Sequence, residues 1–362
     1  MKCFKKIVSI ILSLLILLSI INIGALTAYA DTSFDDGDFR YTVTSGNVVM
    51  VSKYYGDSVN VTLPQQVGER PVTGIYRSCF ENSNVESVTI PRAYTVIGAF
   101  AFSGCKQLST VELPSSLTAI GIMAFDGCES LNNIDFSNIS NLSSIAYSAF
   151  SGCTALEQVS LPESLTSLGD NAFSGCTSLS EVTLPSGLKK IPEYAFYNCA
   201  LESIELPEGL TTIAEGAFAN NTALSSIDLP YSVTSLGARC FENDVLLNEI
   251  FLPETITSIG DDFIAPMSGE GAINVTCYEN SYAAAYCEAY GIRNLIIVEK
   301  LMGDVNLDGV VNINDVTLIQ KYIAHFDVMK SYRAKNLADV YQDGKILITD
   351  VTSLQRKLAG FM

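Results

Sequence analysis

The sequence contains no tryptophan and only one histidine, His325. Catalytic triads that use histidine, and metal sites built from several histidines, are therefore excluded from the repeat region that precedes this residue. The lack of tryptophan also argues against the flat aromatic platforms that bind sugar rings, although tyrosine can form such a platform instead. Both absences narrow the chemistry that the chain can carry out.

Basic residues are scarce as well. The chain has 21 lysines and arginines against 39 aspartates and glutamates, which gives a formal net charge of −18. A chain this acidic repels the phosphate backbone, so we expect no nucleic-acid partner. Acidity also favours solubility, and part of it is needed for the cation sites described below, so charge alone does not identify a partner.

The N-terminus has the pattern of a secretory signal peptide. Three lysines are followed by an apolar run over residues 7–23 and then by Ala28-Tyr29-Ala30. A basic start, an apolar run and small residues before a cleavage point are typical of such signals. We expect residues 1–30 to be removed, which leaves a secreted protein without a membrane segment. The alternative is an uncleaved membrane anchor, which the polar residues inside the run disfavour.

Phenylalanine recurs with a period of about 23 residues through most of the chain. This column consists of Phe80, Phe102, Phe125, Phe150, Phe173, Phe196, Phe218, Phe241 and Phe263. A proline column is in phase with it, namely Pro91, Pro114, Pro162, Pro185, Pro207, Pro230 and Pro253. The repeat near Phe136 lacks its proline and carries two extra residues. A period of this length predicts a solenoid, whose units bury together what none buries alone.

A single unit shows how the repeat folds. Val111 and Leu113 alternate with polar residues, which predicts a short strand with these two side chains directed inward. Pro114 ends that strand. We expect the following residues, 117–125, to turn the chain and to place Ile120 and the repeat phenylalanine in the same core.

Units such as LPESLTSLGDNAFSGCTSLSEVTLP over residues 161–185 resemble the BspA-type leucine-rich repeat family. The resemblance extends over about residues 40–298. Residues 39–64 look like the hairpin-like lead-in of that family, and residues 273–298 look like its closing strand, helix and strand. These ends would cap a solenoid spanning residues 31–300. The resemblance implies interaction with a protein or glycan ligand, which it leaves unidentified.

Five cysteines occupy one repeat position: Cys105, Cys128, Cys153, Cys176 and Cys199. The alternatives for such a ladder are disulfides or a soft-metal site. However, the column continues as Asn221 and Asp244, and removal of Cys3 with the signal leaves nine cysteines, an odd number. We therefore predict free, buried thiols that fill a tight turn.

Two columns of strand residues are predicted to face solvent. They are Ser87, Thr110, Asn133, Gln158, Glu181, Ser203, Ser226 and Glu249, and then Thr89, Glu112, Asp135, Ser160, Thr183, Glu205, Asp228 and Phe251. Their side chains are small, hydroxylic or acidic, with one aromatic and no basic residue. Such a face suits a polar or cationic protein surface, but its composition favours a simply solvated face.

After Glu299 the period stops, and two loop-helix units begin 35 residues apart, at Asp304 and Asp339. The first loop has oxygen-bearing side chains at positions 1, 3, 5, 9 and 12 of an EF-hand-like site, which are Asp304, Asn306, Asp308, Asn312 and Asp315. The carbonyl of Val310 stands at position 7. In the second loop the corresponding groups are Asp339, Asp343, the carbonyl of Lys345, and Asp350. Hard oxygen ligands at this spacing predict two calcium ions.

The second calcium site is expected to be the weaker one. Tyr341 and Leu347 stand at its positions 3 and 9, where the first loop has amide side chains. Neither residue supplies a carboxylate or amide oxygen, so the shell must be completed by water.

The paired loops resemble type I dockerins over residues 302–362, a small all-α module that we place at residues 301–362. The resemblance implies that a cohesin module of a scaffoldin is the partner. The cohesin-facing positions of that family correspond here to Ile313, Asn314, Gln320 and Lys321, and to Ile348, Thr349, Gln355 and Arg356. The two sets are chemically alike, which predicts binding in two orientations.

The predicted fold class is α+β, with a solenoid of short strands and turns followed by the all-α dockerin. We expect a secreted, non-catalytic protein of a cellulosome or of the cell surface, linked to polysaccharide catabolism. One alternative is a cell-surface adhesin, which would share the solenoid but need no scaffoldin. The other is a polysaccharide-degrading enzyme, which needs a cleft with paired carboxylates; the acids here recur in repeat register instead.

Overall fold

The computed structural model describes residues 32–264, 273–292, 294–326 and 328–361. The predicted signal peptide lies outside the described residues. The chain forms a β-solenoid of about 10 turns, and four short helices lie toward its C-terminus. The predicted fold class, a repeat solenoid followed by a small helical module, is therefore confirmed.

The strands are β1 (Thr32–Asp36), β2 (Phe39–Val43), β3 (Val49–Tyr54), β4 (Asn60–Thr62), β5 (Gln66–Val67), β6 (Arg70–Ile75), β7 (Ser87–Thr89), β8 (Val96–Ile97), β9 (Thr110–Glu112), β10 (Ala119–Ile120), β11 (Ser144–Ile145), β12 (Gln158–Ser160), β13 (Ser167–Leu168), β14 (Glu181–Thr183), β15 (Lys190–Ile191), β16 (Thr212–Ile213), β17 (Ser235–Leu236), β18 (Glu249–Leu252), β19 (Ser258–Ile259), β20 (Asn274–Tyr278) and β21 (Leu295–Val298). The helices are α1 (Tyr282–Ala289), α2 (Ile313–Ile323), α3 (Tyr332–Ala338) and α4 (Ile348–Leu358).

Strands of successive turns pair in parallel and form two ladders. The first contains the predicted strands and runs through β4-β7-β9, β12-β14 and β18-β20-β21, with a bridge between Ser203 and Ser226. The second runs through β6-β8-β10-β11-β13 and then β15-β16-β17-β19. Its two-residue strands lie where the sequence predicted only a turn. They were not predicted because two residues are too few to show an alternating pattern.

The phenylalanine column forms the centre of the solenoid. All nine side chains are at most 1% exposed. From Phe80 to Phe241 neighbouring rings stack nearly parallel, with centroids 5.1 to 5.8 Å apart. This spacing follows from the parallel ladders, which place the same residue of the next turn about 4.8 Å away.

Aromatic residues cover both ends of the stack. Tyr54 of the β1-β2-β3 hairpin region packs on Phe80, with ring centroids 5.2 Å apart. At the other end Tyr286 of α1 packs edge-on against Phe263 at 6.0 Å, and its hydroxyl donates to the carbonyl of Gly260. The lead-in hairpin and the closing strand, helix and strand thus lie at the two ends of the phenylalanine stack.

The predicted free thiols are also confirmed. All five cysteines of the column are buried and unpaired, and each thiol donates to the backbone carbonyl of a phenylalanine in a preceding repeat, at 2.9 to 3.2 Å. Burial raises the pKa of the Cys176 thiol to about 12. The thiols are therefore protonated donors, which argues against a thiolate metal site.

Asn221 and Asp244 continue this column with different chemistry. The Asn221 amide donates to the carbonyl of Phe196 at 2.8 Å, as the thiols do. Asp244 is 2% exposed, and one of its carboxyl oxygens accepts the Asn221 N–H at 2.8 Å while the other has no partner within the described chain. Burial raises the pKa of Asp244 to about 8. A neutral carboxylic acid is therefore the favoured form at neutral pH.

The helices α2, α3 and α4 have a separate core. Val316 and Ile319 from α2 pack with Ala334 and Ala338 from α3 and with Leu354 from α4. This cluster is far smaller than that of the solenoid, whose described residues extend from Tyr41 to Ile292. A core of this size gives the C-terminal module little stability of its own.

Candidate functional site

The first candidate calcium loop turns around the carboxylate of Asp304. This side chain is 4% exposed, and its two oxygens accept the backbone N–H groups of Asp308 and Gly309 at 3.2 and 3.0 Å. Gly309 has a φ of +82°, which glycine adopts without strain. The sharp turn at the middle of the loop thus depends on this glycine.

Asp315 ties the two ends of the same loop together. It is fully buried and accepts N–H groups from Val305, Asn306 and Asn312 at 2.9 to 3.2 Å. The bond from Asn312 is one half of a capping box that starts α2, and the Asn312 side chain provides the other half. One carboxylate therefore both closes the loop and starts the helix.

The remaining predicted groups lie between these two carboxylates. Asn306 donates its amide to Asp308 at 2.8 Å, and Asp308 accepts the Val310 N–H at 2.8 Å. The carbonyl of Val310 accepts the Asn312 amide at 3.2 Å. All six groups predicted for the first site are thus brought into one hydrogen-bonded loop.

The second loop has the same arrangement of backbone hydrogen bonds but fewer side chains that could bind a cation. Asp339 accepts the N–H groups of Asp343 and Gly344 at 3.0 and 2.8 Å, and the fully buried Asp350 accepts those of Tyr341 and Leu347 at 3.0 and 2.8 Å. Lys345 donates its N–H to Asp343 at 3.0 Å. Leu347 gives α4 no side-chain cap, unlike Asn312 in α2.

The donor set of these loops fits calcium. Its groups are carboxylates, amides and carbonyls, which are hard oxygen ligands. Asp304, Asp315 and Asp350 are buried, and the ion pairs found in the described part of the chain include none of them. Buried carboxylates without a positive partner are costly, so a bound cation would stabilise this arrangement.

The carboxylates face backbone N–H groups rather than one another. Within the described ranges, no three His, Cys, Asp or Glu side chains are grouped closely enough to hold a metal ion as they are placed. Calcium binding would accordingly draw these side chains closer together. Binding and local ordering would then be coupled.

The eight predicted cohesin-facing residues are all exposed. Ile313 and Ile348 begin α2 and α4 and are 63% and 62% exposed. Asn314, Gln320 and Lys321 follow on α2, and Thr349, Gln355 and Arg356 occupy the same positions on α4. Because α2 and α4 also pack against each other, two equivalent sets are presented on neighbouring helices. Their contact with cohesin remains a prediction.

Helix α3 was not predicted, since the sequence indicated only one helix after each loop. It begins after Ser331, whose hydroxyl accepts the Ala334 N–H at 3.0 Å. A serine cap followed by good helix formers was the available signal. The helix lies against the solenoid, and Asp228 and Phe251, which were predicted to be exposed, are therefore half-buried.

The repeat that lacks its proline opens a cavity on the exposed strand face. The cavity has a volume of about 320 Å³. Its lining combines polar residues with apolar ones, and it includes Glu112, Asn132, Asn133, Asp135 and Asn138 as well as Val111, Leu113 and Ile139. Phe136 of this repeat is buried and packs edge-on against Phe150 at 6.3 Å. The irregular repeat thus keeps the core intact while it changes the surface.

Known family models match both parts of the chain, the repeat solenoid and the small helical module. The model of the BspA type leucine rich repeat region matches residues 73–174 and 143–267, together more than half of the chain, and that of the dockerin type I domain matches residues 302–359. The chain therefore belongs to the BspA-type leucine-rich repeat family and carries a type I dockerin domain at its C-terminus. The comparison finds no enzymatic domain.

Solved structures support the repeat fold. A leucine-rich repeat protein from Bacteroides ovatus is 28% identical with a TM-score of 0.63, and the match covers 68% of this chain and 66% of that chain, just under two thirds of its length. A leucine rich cell surface protein from Faecalibacterium prausnitzii is 23% identical with a TM-score of 0.55, covering 75% of this chain and 96% of that one. The comparison with curated proteins finds no match.

None of the helices in the described ranges combines the length and the apolar character needed to cross a bilayer.

Proposed function

We propose that this protein is a secreted, non-catalytic subunit of a cellulosome-type assembly, in which the dockerin binds a scaffoldin cohesin and the solenoid binds a protein or glycan ligand. The pair of matching loop-helix units carries this proposal. Dockerins of this type bind calcium and cohesins, and leucine-rich repeat solenoids are interaction surfaces. Residues 1–30 would be the cleaved signal, 31–300 the solenoid and 301–362 the dockerin, in a protein that serves polysaccharide catabolism.

Two calcium ions would complete the dockerin. The first would be held by Asp304, Asn306, Asp308, the Val310 carbonyl, Asn312 and Asp315, and the second by Asp339, Asp343, the Lys345 carbonyl and Asp350. Calcium would supply the positive charge that the buried carboxylates lack. Because Asp315 and Asp350 each stand in the first turn of a helix, the ions would also fix α2 and α4 relative to their loops.

The cohesin would bind the exposed faces of α2 and α4. Each face offers an isoleucine, two uncharged polar residues and one basic residue in the same order. An apolar anchor beside a basic group suits a partner surface with a shallow apolar patch and acidic residues. Since the two faces correspond, rotation of the cohesin by half a turn would offer it equivalent contacts.

The ligand of the solenoid would bind the exposed strand columns. From Thr110 to Glu205 these columns are solvent-exposed and hydroxylic, amide or acidic in character. The cavity beside the irregular repeat lies within this stretch. A polar or cationic protein surface, or the hydroxyl groups of a glycan, would complement it.

Cohesin capture tests the proposal. The mature full-length protein is passed over immobilised type I cohesins with calcium and again with chelator, alongside Asp315→Ala and the exposed control Asp57→Ala. We expect calcium-dependent capture that Asp315→Ala abolishes and Asp57→Ala leaves unchanged. Capture that survives chelation, or no capture by any cohesin, would contradict the anchoring role.

A second measurement addresses catalysis. The same protein is incubated with plant polysaccharides and with protein substrates, and released reducing sugar and peptides are measured. We expect neither product. Release of either one above the level of a heat-treated sample would show that the solenoid carries an active site.

A further inference from the structure

Helix α3 connects the dockerin to the last turns of the solenoid through its first residue. The N–H of the first residue of a helix has no partner inside that helix. In Tyr332 it is donated to the Asp228 carboxylate at 2.6 Å, and the Tyr332 hydroxyl donates to the carbonyl of Leu206. A side chain from the solenoid therefore satisfies a helix terminus of the dockerin.

Arg333 makes the second contact. Its guanidinium carbon lies 4.7 Å from the centre of the Phe251 ring and 5.6 Å from that of Tyr278. Both distances are within the range of cation–π attraction. Phe251 is the one aromatic residue in the two exposed columns, and Thr89 and Thr183 take its position in other repeats. The one aromatic residue of the column, Phe251, is thus the residue that Arg333 contacts.

The charges on the two sides are complementary. The Lys335 ammonium lies 3.9 Å from the Glu208 carboxylate, and the Lys300 ammonium, just before the dockerin, lies 2.6 Å from that of Glu254. In a chain with 21 basic against 39 acidic residues, this segment places basic groups opposite acidic repeats. Such pairs orient a contact more than they strengthen it, because they are partly exposed.

Burial at the contact is visible on the solenoid side. The cover provided by α3 raises the pKa of the Asp228 carboxyl through desolvation, while the Tyr332 bond and the Lys335 charge act in the opposite direction. Tyr231 is half-buried beside Phe251 and shares a hydrogen bond of 3.2 Å with Tyr278. The docking surface, defined as Asp228, Tyr231, Phe251 and Tyr278, is therefore a built aromatic and acidic patch.

We propose that α3 is an intramolecular docking helix, which holds the dockerin on the docking surface and leaves the outer faces of α2 and α4 free. The occupant of this surface is the segment Tyr332–Lys335 of the same chain. The two modules then form one body instead of two bodies joined by a flexible linker. This holds whether or not the dockerin binds a cohesin, so its failure would leave the anchoring role untouched.

Hydrogen exchange and solution scattering of the mature full-length protein test the proposal. Arg333→Glu should release α3, so that its amides exchange at least about tenfold faster, equivalent to about 1.4 kcal/mol, and the radius of gyration should rise. The control Lys330→Glu makes the same change of charge on a neighbouring exposed lysine and should alter neither quantity. Equal exchange and scattering for the wild type and Arg333→Glu would overturn the proposal.

A variant on the solenoid side of the contact controls for the case in which Arg333→Glu simply unfolds the dockerin. Phe251→Thr restores the residue found at this position in other repeats, and it leaves the dockerin sequence untouched. It should reproduce the effect of Arg333→Glu. Charge exchange in the pair Glu208→Lys with Lys335→Glu should recover whatever protection Lys335→Glu alone removes. A radius of gyration that grows with protein concentration would show instead that α3 docks on a second copy, which would overturn docking within one chain.

Discussion

Buried carboxyl groups are handled differently in the two modules. In the solenoid, Asp244 receives one backbone N–H, leaves one oxygen without a partner in the described chain, and has a pKa raised by burial to about 8. In the dockerin, Asp315 is equally buried but receives three backbone N–H groups. Burial in the solenoid favours the protonated form of Asp244, whereas the dockerin surrounds the Asp315 carboxyl group with backbone N–H donors.

The difference teaches what each module depends on. The solenoid is held by a continuous apolar core and a phenylalanine stack, neither of which involves an ion. The dockerin has a small core and several buried carboxylates that lack basic partners among the described residues. We therefore expect the stability of the dockerin to depend on calcium and the stability of the solenoid to depend on pH.

Removal of calcium should have the largest effect and should separate the modules. In the mature protein, chelator should release the amides of α2 and α4 to fast exchange, while the amides near the phenylalanine stack keep their protection. Cohesin capture should fall at least about 100-fold, because metal binding supplies much of the folding free energy of such small modules. The measurement is hydrogen exchange with mass spectrometry, together with capture. Opening of both modules together would show that they do not differ in this way.

Asp244→Asn should have the next largest effect and should change the solenoid alone. The folded-state pKa of about 8 lies above the ordinary value of 3.8. The contribution of the protonated acid is therefore complete below pH 3.8 and is lost as the pH rises through 8. The variant keeps a donor at this position at every pH.

Its free energy of unfolding should match that of the wild type near pH 4. As the pH approaches 8, the free energy of unfolding of the variant should exceed that of the wild type by a growing amount, up to about 1.4 kcal/mol for each pH unit. Denaturant unfolding across this range measures the difference, and Asp57→Asn at an exposed site serves as the control. A constant difference at all pH values would mean that Asp244 is already ionised in the folded protein.

These cases also show how far the sequence leads. The phenylalanine and cysteine columns, the caps and both loops could be predicted, because each is a local pattern that repeats with a fixed period. The second ladder could not, because strands such as Ala119–Ile120 are too short to alternate. The half-burial of Asp228 and Phe251 could not either, because it comes from contact with a helix about 100 residues away in the chain. Nothing in either local pattern specifies that contact.

The two calcium loops should differ by a smaller amount. Asp304→Ala removes a predicted ligand from the loop with five carboxylate or amide side chains at the ligand positions, and Asp339→Ala removes one from the loop with three. We expect the wild type to show two affinities about tenfold or more apart, since fewer protein ligands bind calcium more weakly. Calorimetric titration of the mature protein should show the tighter site lost in Asp304→Ala and kept in Asp339→Ala. Two equal sites, or the opposite pattern, would refute the ranking.

The smallest effects are expected from single changes in the cohesin-facing residues. Lys321→Glu or Arg356→Glu alone should weaken cohesin binding by less than about threefold, because the other orientation remains available. The double variant should lose most of the binding. Surface plasmon resonance with a captured cohesin measures all three. A large loss from Lys321→Glu with none from Arg356→Glu would indicate a single orientation.

The thiol column has a consequence for how the chain reaches its folded state. In the folded solenoid, oxidants cannot reach the five thiols, because they are buried and protonated. Before the turns stack, the same thiols lie 23 to 25 residues apart on an open chain, with an ordinary pKa of about 8.5 and access to any disulfide or oxidant nearby. A wrong cross-link formed then would hold two repeats out of register. The yield of native protein should therefore depend on the rate at which turns stack relative to the rate of thiol oxidation, and surroundings poor in oxidant should favour the native product.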